Sequence, residues 1–311
     1  MRPPPKRLAM HSVSIIIPSF NTGSYLYDCV SSIRENSAGV NAEVIIVDDG
    51  SKDETSIRVI NDMATKPNLK VIRHEKNLGV QFARNTGLKA ATSDFVLCMD
   101  GDDALLPIPG SQGFLFEAAQ ILSTNREIAF VHTLVKMFGD FNGVTISSYP
   151  LREELVARKH HVPIAIVYRR GEILNGLSYI ETVPKWQDWA FGVSLLARRW
   201  KRNERSEIGY IEGPGYGYRI HSTGPRVSQG QAVEYDATKL VVEVYRDYFV
   251  SKFPDIPNNI DSLTAAVVAS KPSALDDLLF VASANLDLAL GMARGREYQL
   301  HSAHVDRLGI P

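Results

Sequence analysis

Four strand-like runs recur through the first hundred residues, and a helix-patterned segment follows each of the first three. This alternation limits the possible folds more than any other feature of the chain. Val13-Ser-Ile-Ile-Ile17 is a short apolar, β-branched run of the kind buried on both faces, and Pro18 closes it. Glu43-Val-Ile-Ile-Val-Asp48, Lys70–Arg73 and Asp94-Phe-Val-Leu-Cys-Met-Asp100 read as three further strands. Helices are expected over Ser24–Glu35, with Ser24 as N-cap and Leu26, Val30 and Ile33 on one face, and over Gly79–Ala91. Between them, Asp53 caps a helix carrying Ile57, Ile60 and Met63. The βαβαβαβ order implies an α/β fold with a mostly parallel sheet and helices on both faces.

In such sheets ligands bind beyond the carboxyl ends of the strands. The polar residues gather at those ends: Ser19 and Asn21 after the first strand, Asp48 and Asp49 after the second, Asp100, Asp102 and Asp103 after the fourth. Three carboxylates within four residues repel one another, and a hard cation such as Mg²⁺ or Mn²⁺ would relieve the repulsion. A solvated acidic turn accounts for the same residues equally well.

Past Pro109 the alternation weakens. The pattern predicts a helix near Gln112–Asn125, strands at Ile128–Val135, Pro163–Tyr168 and Gly209–Ile220, a hairpin around Gly139–Gly143 and a helix over Trp186–Trp200. Helical candidates then fill the tail: Tyr235–Phe253, Asp261–Ser270 and Ser273–Met292. Pro254, Pro257 and Asn258-Asn259 mark the best internal break. His132 lies in an apolar strand and reads as a core histidine. His160 and His161 read as part of a solvated face, and His301 and His304 lie near the end of the chain.

Composition excludes several function classes. The 34 basic and 35 acidic residues nearly cancel, which argues against nucleic acid as a main electrostatic partner. Two cysteines, Cys29 and Cys98, make neither a disulfide framework nor a Cys-rich zinc site, and both read as buried thiols. No apolar run is long enough to span a membrane and no signal peptide is recognised, so the expected location is the cytoplasm, with peripheral membrane docking as an option. Zinc-hydrolase and serine-hydrolase motifs are absent.

Five segments taken in order resemble glycosyltransferase family 2, a family of the GT-A fold. They are Val13-Ser-Ile-Ile-Ile-Pro-Ser-Phe-Asn21, Val47-Asp-Asp-Gly-Ser-Lys-Asp53, Asn77-Leu-Gly79, Ala83-Arg-Asn-Thr-Gly87 and Met99-Asp-Gly-Asp-Asp103. The resemblance covers residues 13 to 107 closely and the remainder loosely. It implies a GT-A-like mixed sheet with a nucleotide-sugar-binding half over 13–110 and an acceptor-binding, catalytic half over 111–233. A flexible tail precedes them at 1–12 and a helical extension follows at 234–311. It also implies that Pro18, Ser19 and Phe20 line the base pocket, Asp49 hydrogen-bonds the base, and Arg84 approaches the nucleotide. Asp100 would face the ribose or sugar, and Asp102 would bind the metal on the diphosphate. Asp103 and Asn85 are further candidates.

The resemblance is looser at Trp186-Gln-Asp-Trp189, where it implies that Asp188 is the catalytic base. Asp188 would open a helix, where the macrodipole favours the ionised form. Trp186 and Trp189 could form an apolar wall or one on which a sugar stacks. At Tyr218-Arg-Ile-His221, Arg219 would approach the phosphates and His221 would be a further metal ligand; Arg226 is a weaker phosphate candidate.

The implied activity is metal-assisted, inverting transfer from a nucleoside diphosphate sugar, expected to be a UDP-sugar, to a hydroxyl of a saccharide, lipid-linked or other acceptor. Two alternatives stay open: a non-catalytic nucleotide-sugar-binding protein and a sugar nucleotidyltransferase. The latter would want a Gly-rich, basic loop after the first strand, yet residues 19 to 24 hold one Gly and no Arg or Lys. In the tail, Leu240, Val244, Leu278, Leu279 and Leu286 suit core packing first and a homodimer contact through the helices second.

Overall fold

The computed structural model describes residues 10–145, 150–159, 162–221 and 233–272, and seven single positions from 278 to 293. Arg226, His160, His161, Leu279, His301, His304, residues 1–9 of the N-terminal tail and most of the Ser273–Met292 helix lie outside the described residues.

The elements run β1 (His11–Ser19), α1 (Tyr25–Glu35), β2 (Val40–Asp48), α2 (Glu54–Ala64), β3 (Leu69–Arg73), α3 (Val80–Ala90), β4 (Phe95–Cys98), β5 (Ala104–Leu105) and α4 (Phe114–Thr124). They continue with β6 (Ile128–Gly139), β7 (Gly143–Val144), α5 (Glu153–Ala157), β8 (Ile166–Arg169), α6 (Gly171–Leu174), α7 (Gln187–Lys201), β9 (Glu207–Ile220), α8 (Glu234–Val244), α9 (Arg246–Lys252) and α10 (Ile260–Ala269). The sheet order is β3-β2-β1-β4-β8-β6-β9-β5, with β7 hairpinned onto β6. β1 is parallel to β2 and β4, β2 to β3, and β6 to β9. The shorter ladders β4–β8, β6–β8 and β5–β9 are antiparallel.

The two faces of the sheet carry separate cores because successive side chains of a strand point opposite ways. Val13, Ile15 and Ile17 of β1 pack with Leu26 of α1, Val59 of α2 and Phe114 of α4. Ile16 packs the other way, with Ala83 of α3, Val193 of α7, Val241 of α8, Phe249 of α9 and Leu263 of α10. The tail helices thus share a core with the helix that carries Asp188.

Several local expectations are corrected. Ser24 precedes α1 but makes no side-chain cap, because its own backbone is already helical (φ −72°, ψ −17°). Asp53 does cap α2, accepting from Ser56 N–H at 2.8 Å. Ile57 is 40% exposed, and Val59 takes its place on the buried face of α2. Tyr235–Phe253 is two helices, broken at Tyr245. Val244 and Leu286 are exposed, whereas Leu240 is half-buried on the core and Leu278 packs beside Ala289. His132 is fully buried, and its Nε2 accepts from Leu151 N–H at 3.3 Å.

Candidate active site

The loops after β1 and β2 are tied together first. Asp49 N–H donates to Ser19 C=O at 2.8 Å, Lys52 N–H to Asn21 Oδ1 at 2.9 Å, and Asn21 N–H to Ser51 Oγ at 3.0 Å. Gly50, at φ +74°, lets this edge lie against the loop before α3; a Cβ there would come within 2.6 Å of the Lys76 carbonyl carbon. Pro18 and Ser19 are buried and Phe20 is exposed at the rim.

Asp49 is buried, and its carboxylate is already engaged. Oδ1 accepts Leu78 N–H at 3.0 Å and lies 2.7 Å from His74 Nδ1, while Oδ2 accepts Gly79 N–H at 2.8 Å. Asp49 therefore holds the β3–α3 loop through three of the roughly four acceptor positions of its carboxylate.

β4 ends below the acidic turn, and the three aspartates there divide the work. Asp103 is fully buried, accepting from Tyr216 O–H at 2.7 Å and from Arg219 N–H at 2.8 Å. Burial and the neighbouring Asp100 and Asp102 push its carboxyl well above the usual range. It fastens β9 to the turn and offers nothing to a ligand. Asp100 and Asp102 stay about a third exposed. Burial and Asp100 raise the Asp102 carboxyl, and His221 pulls it back. His221 Nε2 lies 2.9 Å from Asp102 Oδ2, which confirms their proximity.

Arg219 is committed differently from expectation. Its guanidinium carbon sits 4.7 Å from the Tyr25 ring centre and 4.5 Å from that of Phe138. Its Nε–H donates to Asp102 C=O at 2.7 Å, and an Nη to Asp28 at 3.2 Å. A guanidinium sandwiched between rings and paired this way props the acidic turn.

Arg84 gathers the site. From α3 it reaches Asp100 Oδ1 at 2.9 Å and Asp188 Oδ1 at 3.3 Å, and it is 3% exposed. Its Nε–H is buried without a hydrogen-bond partner among the described residues. Asn85 faces elsewhere: its amide donates to Tyr179 C=O at 3.0 Å and accepts Tyr179 N–H at 2.8 Å, pinning the segment before α7.

Asp188 lies in the first turn of α7, with 28% of its side chain exposed. Burial, with Asp100 adding to it and Arg84 opposing it, raises its carboxyl to about 6. Desolvation and the like charge of Asp100 thus raise it against the pull of Arg84. The group is still mostly carboxylate at neutral pH. Trp189 is corrected too. It is 1% exposed with its indole N–H on Val156 C=O at 2.8 Å, so it is core and has no free face for a sugar. Trp186 stands half-buried before α7 at φ +58°.

A cation fits this arrangement in part. Asp102 and His221 supply an oxygen and an imidazole, donor types that Mn²⁺ and Mg²⁺ accept to different degrees. Among the described residues no group of three or more His, Cys, Asp or Glu side chains is placed to hold a metal, so any ion here would complete its shell with ligand oxygens and water.

β5, α5 and α6 escaped the sequence because each spans five residues or fewer, too short for periodicity to register. Lys159, discussed below, gave no motif signal.

Comparison with known proteins places these features in context. A family model described as glycosyl transferase family 2 matches residues 14–168. EpsH of Bacillus subtilis (strain 168), named as a glycosyltransferase, is 35% identical over 233 residues, covering 68% of this chain and 61% of EpsH. A glycosyltransferase-named protein of Haemophilus influenzae is 29% identical over 145 residues, 47% of this chain and 46% of that protein. The chain thus spans less than two thirds of the length of these relatives. The structure of Staphylococcus aureus TarS 1-349 in complex with UDP-GlcNAc superposes with a TM-score of 0.59 at 18% identity, covering 89% of this chain and 74% of that one. A mannosyltransferase, PcManGT from Pyrobaculum calidifontis in complex with GDP-Man and Mn²⁺, gives 0.51 at 18% identity, covering 95% of this chain and 86% of that one. At such identities the likeness to both structures is one of fold.

Proposed function

This chain belongs to glycosyltransferase family 2, and on that premise we propose that it is an inverting, metal-assisted glycosyltransferase with Asp188 as general base. The observation that carries the proposal is the pairing of Arg84 with both Asp100 and Asp188. It sets a base that is ionised above about pH 6 beside the acidic turn at the sheet's carboxyl edge.

In this reading the acceptor oxygen attacks the anomeric carbon while Asp188 takes its proton. The bond from that carbon to the diphosphate oxygen breaks, and its electron pair leaves with the nucleoside diphosphate. One displacement gives inversion without a protein nucleophile. Pro18, Ser19 and Phe20 line the base pocket, and Asp49 hydrogen-bonds the base while it holds the β3–α3 loop. Asp100 faces the ribose or sugar, and Arg84 approaches the nucleotide from α3. A divalent cation, Mn²⁺ or Mg²⁺, held by Asp102 and His221 would supply positive charge beside the departing diphosphate. The donor proposed is a UDP-sugar, supported by the TarS complex with UDP-GlcNAc. The acceptor is a saccharide, lipid-linked or other hydroxyl.

Asp188→Asn tests the assignment. Donor affinity should hold within about twofold while sugar transfer falls by roughly 10²–10⁴. Normal turnover by this variant would remove Asp188 from the mechanism. Release of pyrophosphate from a nucleoside triphosphate would instead identify a nucleotidyltransferase.

A further inference from the structure

Lys159 is a lysine buried in the core, 3% exposed, two residues past the end of α5. Its backbone sits at φ +60°, a conformation that costs a non-glycine residue about 1 kcal/mol or more. The ammonium donates to Thr238 Oγ1 and to Glu234 C=O at 3.4 Å, and lies 2.9 Å from the Glu234 carboxylate; both partners belong to α8. Glu234 also pairs with Lys271 at 2.9 Å. On its other side the same ammonium lies 4.4 Å from the Trp186 ring centre and 5.3 Å from that of Trp189. Burial lowers its pKa to about 8, and Glu234 opposes that shift.

These two tryptophans bracket Asp188. Trp186 holds the left-handed turn from which α7 starts, and its C=O accepts Ala190 N–H at 2.9 Å. Trp189 is anchored on Val156 of α5. The segment at the end of α5 thus adjoins the start of α7, and Lys159 contacts both rings and the tail helix together. An apolar residue of similar length would fill this space without the cost of burying a charge. The Lys159 ammonium instead ties α8 to the two rings through a hydrogen bond, an ion pair and two ring contacts.

Resting on the reading of Asp188 as base, we infer that Lys159 is a positioning residue: it locks Trp186 and α8 together so that the Asp188 carboxylate is held against Arg84. The C-terminal helices then take part in placing the base as well as in packing.

The test compares Lys159→Met and Thr238→Val with the unaltered chain. Two measurements are made: the Asp188 carboxyl titration by ¹³C NMR, and UDP release from UDP-GlcNAc with Mn²⁺ and water as acceptor. As Asp188 drifts from Arg84, its midpoint should rise by about half a unit or more in Lys159→Met, and by less in Thr238→Val. Thr238→Val keeps a residue of the same shape and serves if Lys159→Met does not fold. An unchanged Asp188 midpoint in a folded variant overturns the inference, whatever the turnover. Asp188→Asn run in the same assay separates the two claims: if it turns over normally the base reading fails, and the midpoint still decides Lys159.

Discussion

Asp188 answers to two neighbours of opposite sign and to burial, and burial wins. Its pKa of about 6 lies above the ordinary 3.8, so protonation sets in while most carboxylates are still charged. A base must be ionised to work. Turnover should therefore climb with pH through about 6 and level off above it, read as an acid limb in kcat/KM. Arg84 is the one neighbour that lowers this value. Arg84→Met should move the limb to higher pH, and a limb that stays in place would detach Arg84 from the base. The sign for stability is the reverse of the usual aspartate. This carboxyl favours the folded state fully below 3.8 and loses that contribution as pH rises through about 6. At this scale the sequence named Asp100, Asp102, His221 and Asp188 as candidates, and the structure pairs Asp102 with His221 and joins Asp100 to Asp188 through Arg84. The sequence did not say that Asp49, Asp103, Arg219 and Trp189 make their contacts within the protein, because a polar or aromatic side chain looks the same in a string whether a ligand or the protein itself satisfies it.

Helix α3 is the element on which the site depends, since it carries Arg84 on one turn and Asn85 on the next position. It lies so close to β1 that a Cβ on Gly87 would come within 2.2 Å of Ile16 Cγ2. Gly87→Ala should cost about 1–3 kcal/mol by forcing the helix off the strand. Gly171→Ala, where a Cβ meets nothing within 4 Å, should stay within about 0.5 kcal/mol. Equal melting temperatures for the two would contradict the close packing. The central strands were legible as short, almost continuously apolar runs buried on both faces, and α1 to α4 because each buries one apolar face. The break at Tyr245 was not legible, since Tyr235–Phe253 keeps its apolar pattern on both sides of the interruption. Ile57 was misread because spacing names a face but cannot say how wide the buried stripe is.

The whole molecule brings together segments that the chain keeps far apart. Arg84 and Asp188 are 104 positions apart, and Asp102 and His221 are 119. A ligand that bridges such segments binds only the folded chain and must raise its melting temperature. UDP with Mn²⁺ should add about 2.7 kcal/mol at a hundredfold excess over Kd, a shift of several degrees for a chain of this size. Asp102→Asn, or EDTA, should remove the Mn²⁺-dependent part and leave the rest; an undiminished metal response would place the cation elsewhere. Among the described residues no helix is long and apolar enough to cross a membrane. The sequence by itself determined the parallel β1–β4 half and its acidic carboxyl edge, because strand and helix periods and strand-end residues are local properties of a chain. Tertiary structure alone decided which carboxylates stay partly exposed at the acidic edge and which are spent on loops, and that Arg84 couples Asp100 to Asp188. It alone also set a tail-helix contact beside the helix that carries Asp188. Burial and charge pairing depend on which distant segments meet, and no local pattern in the chain records that.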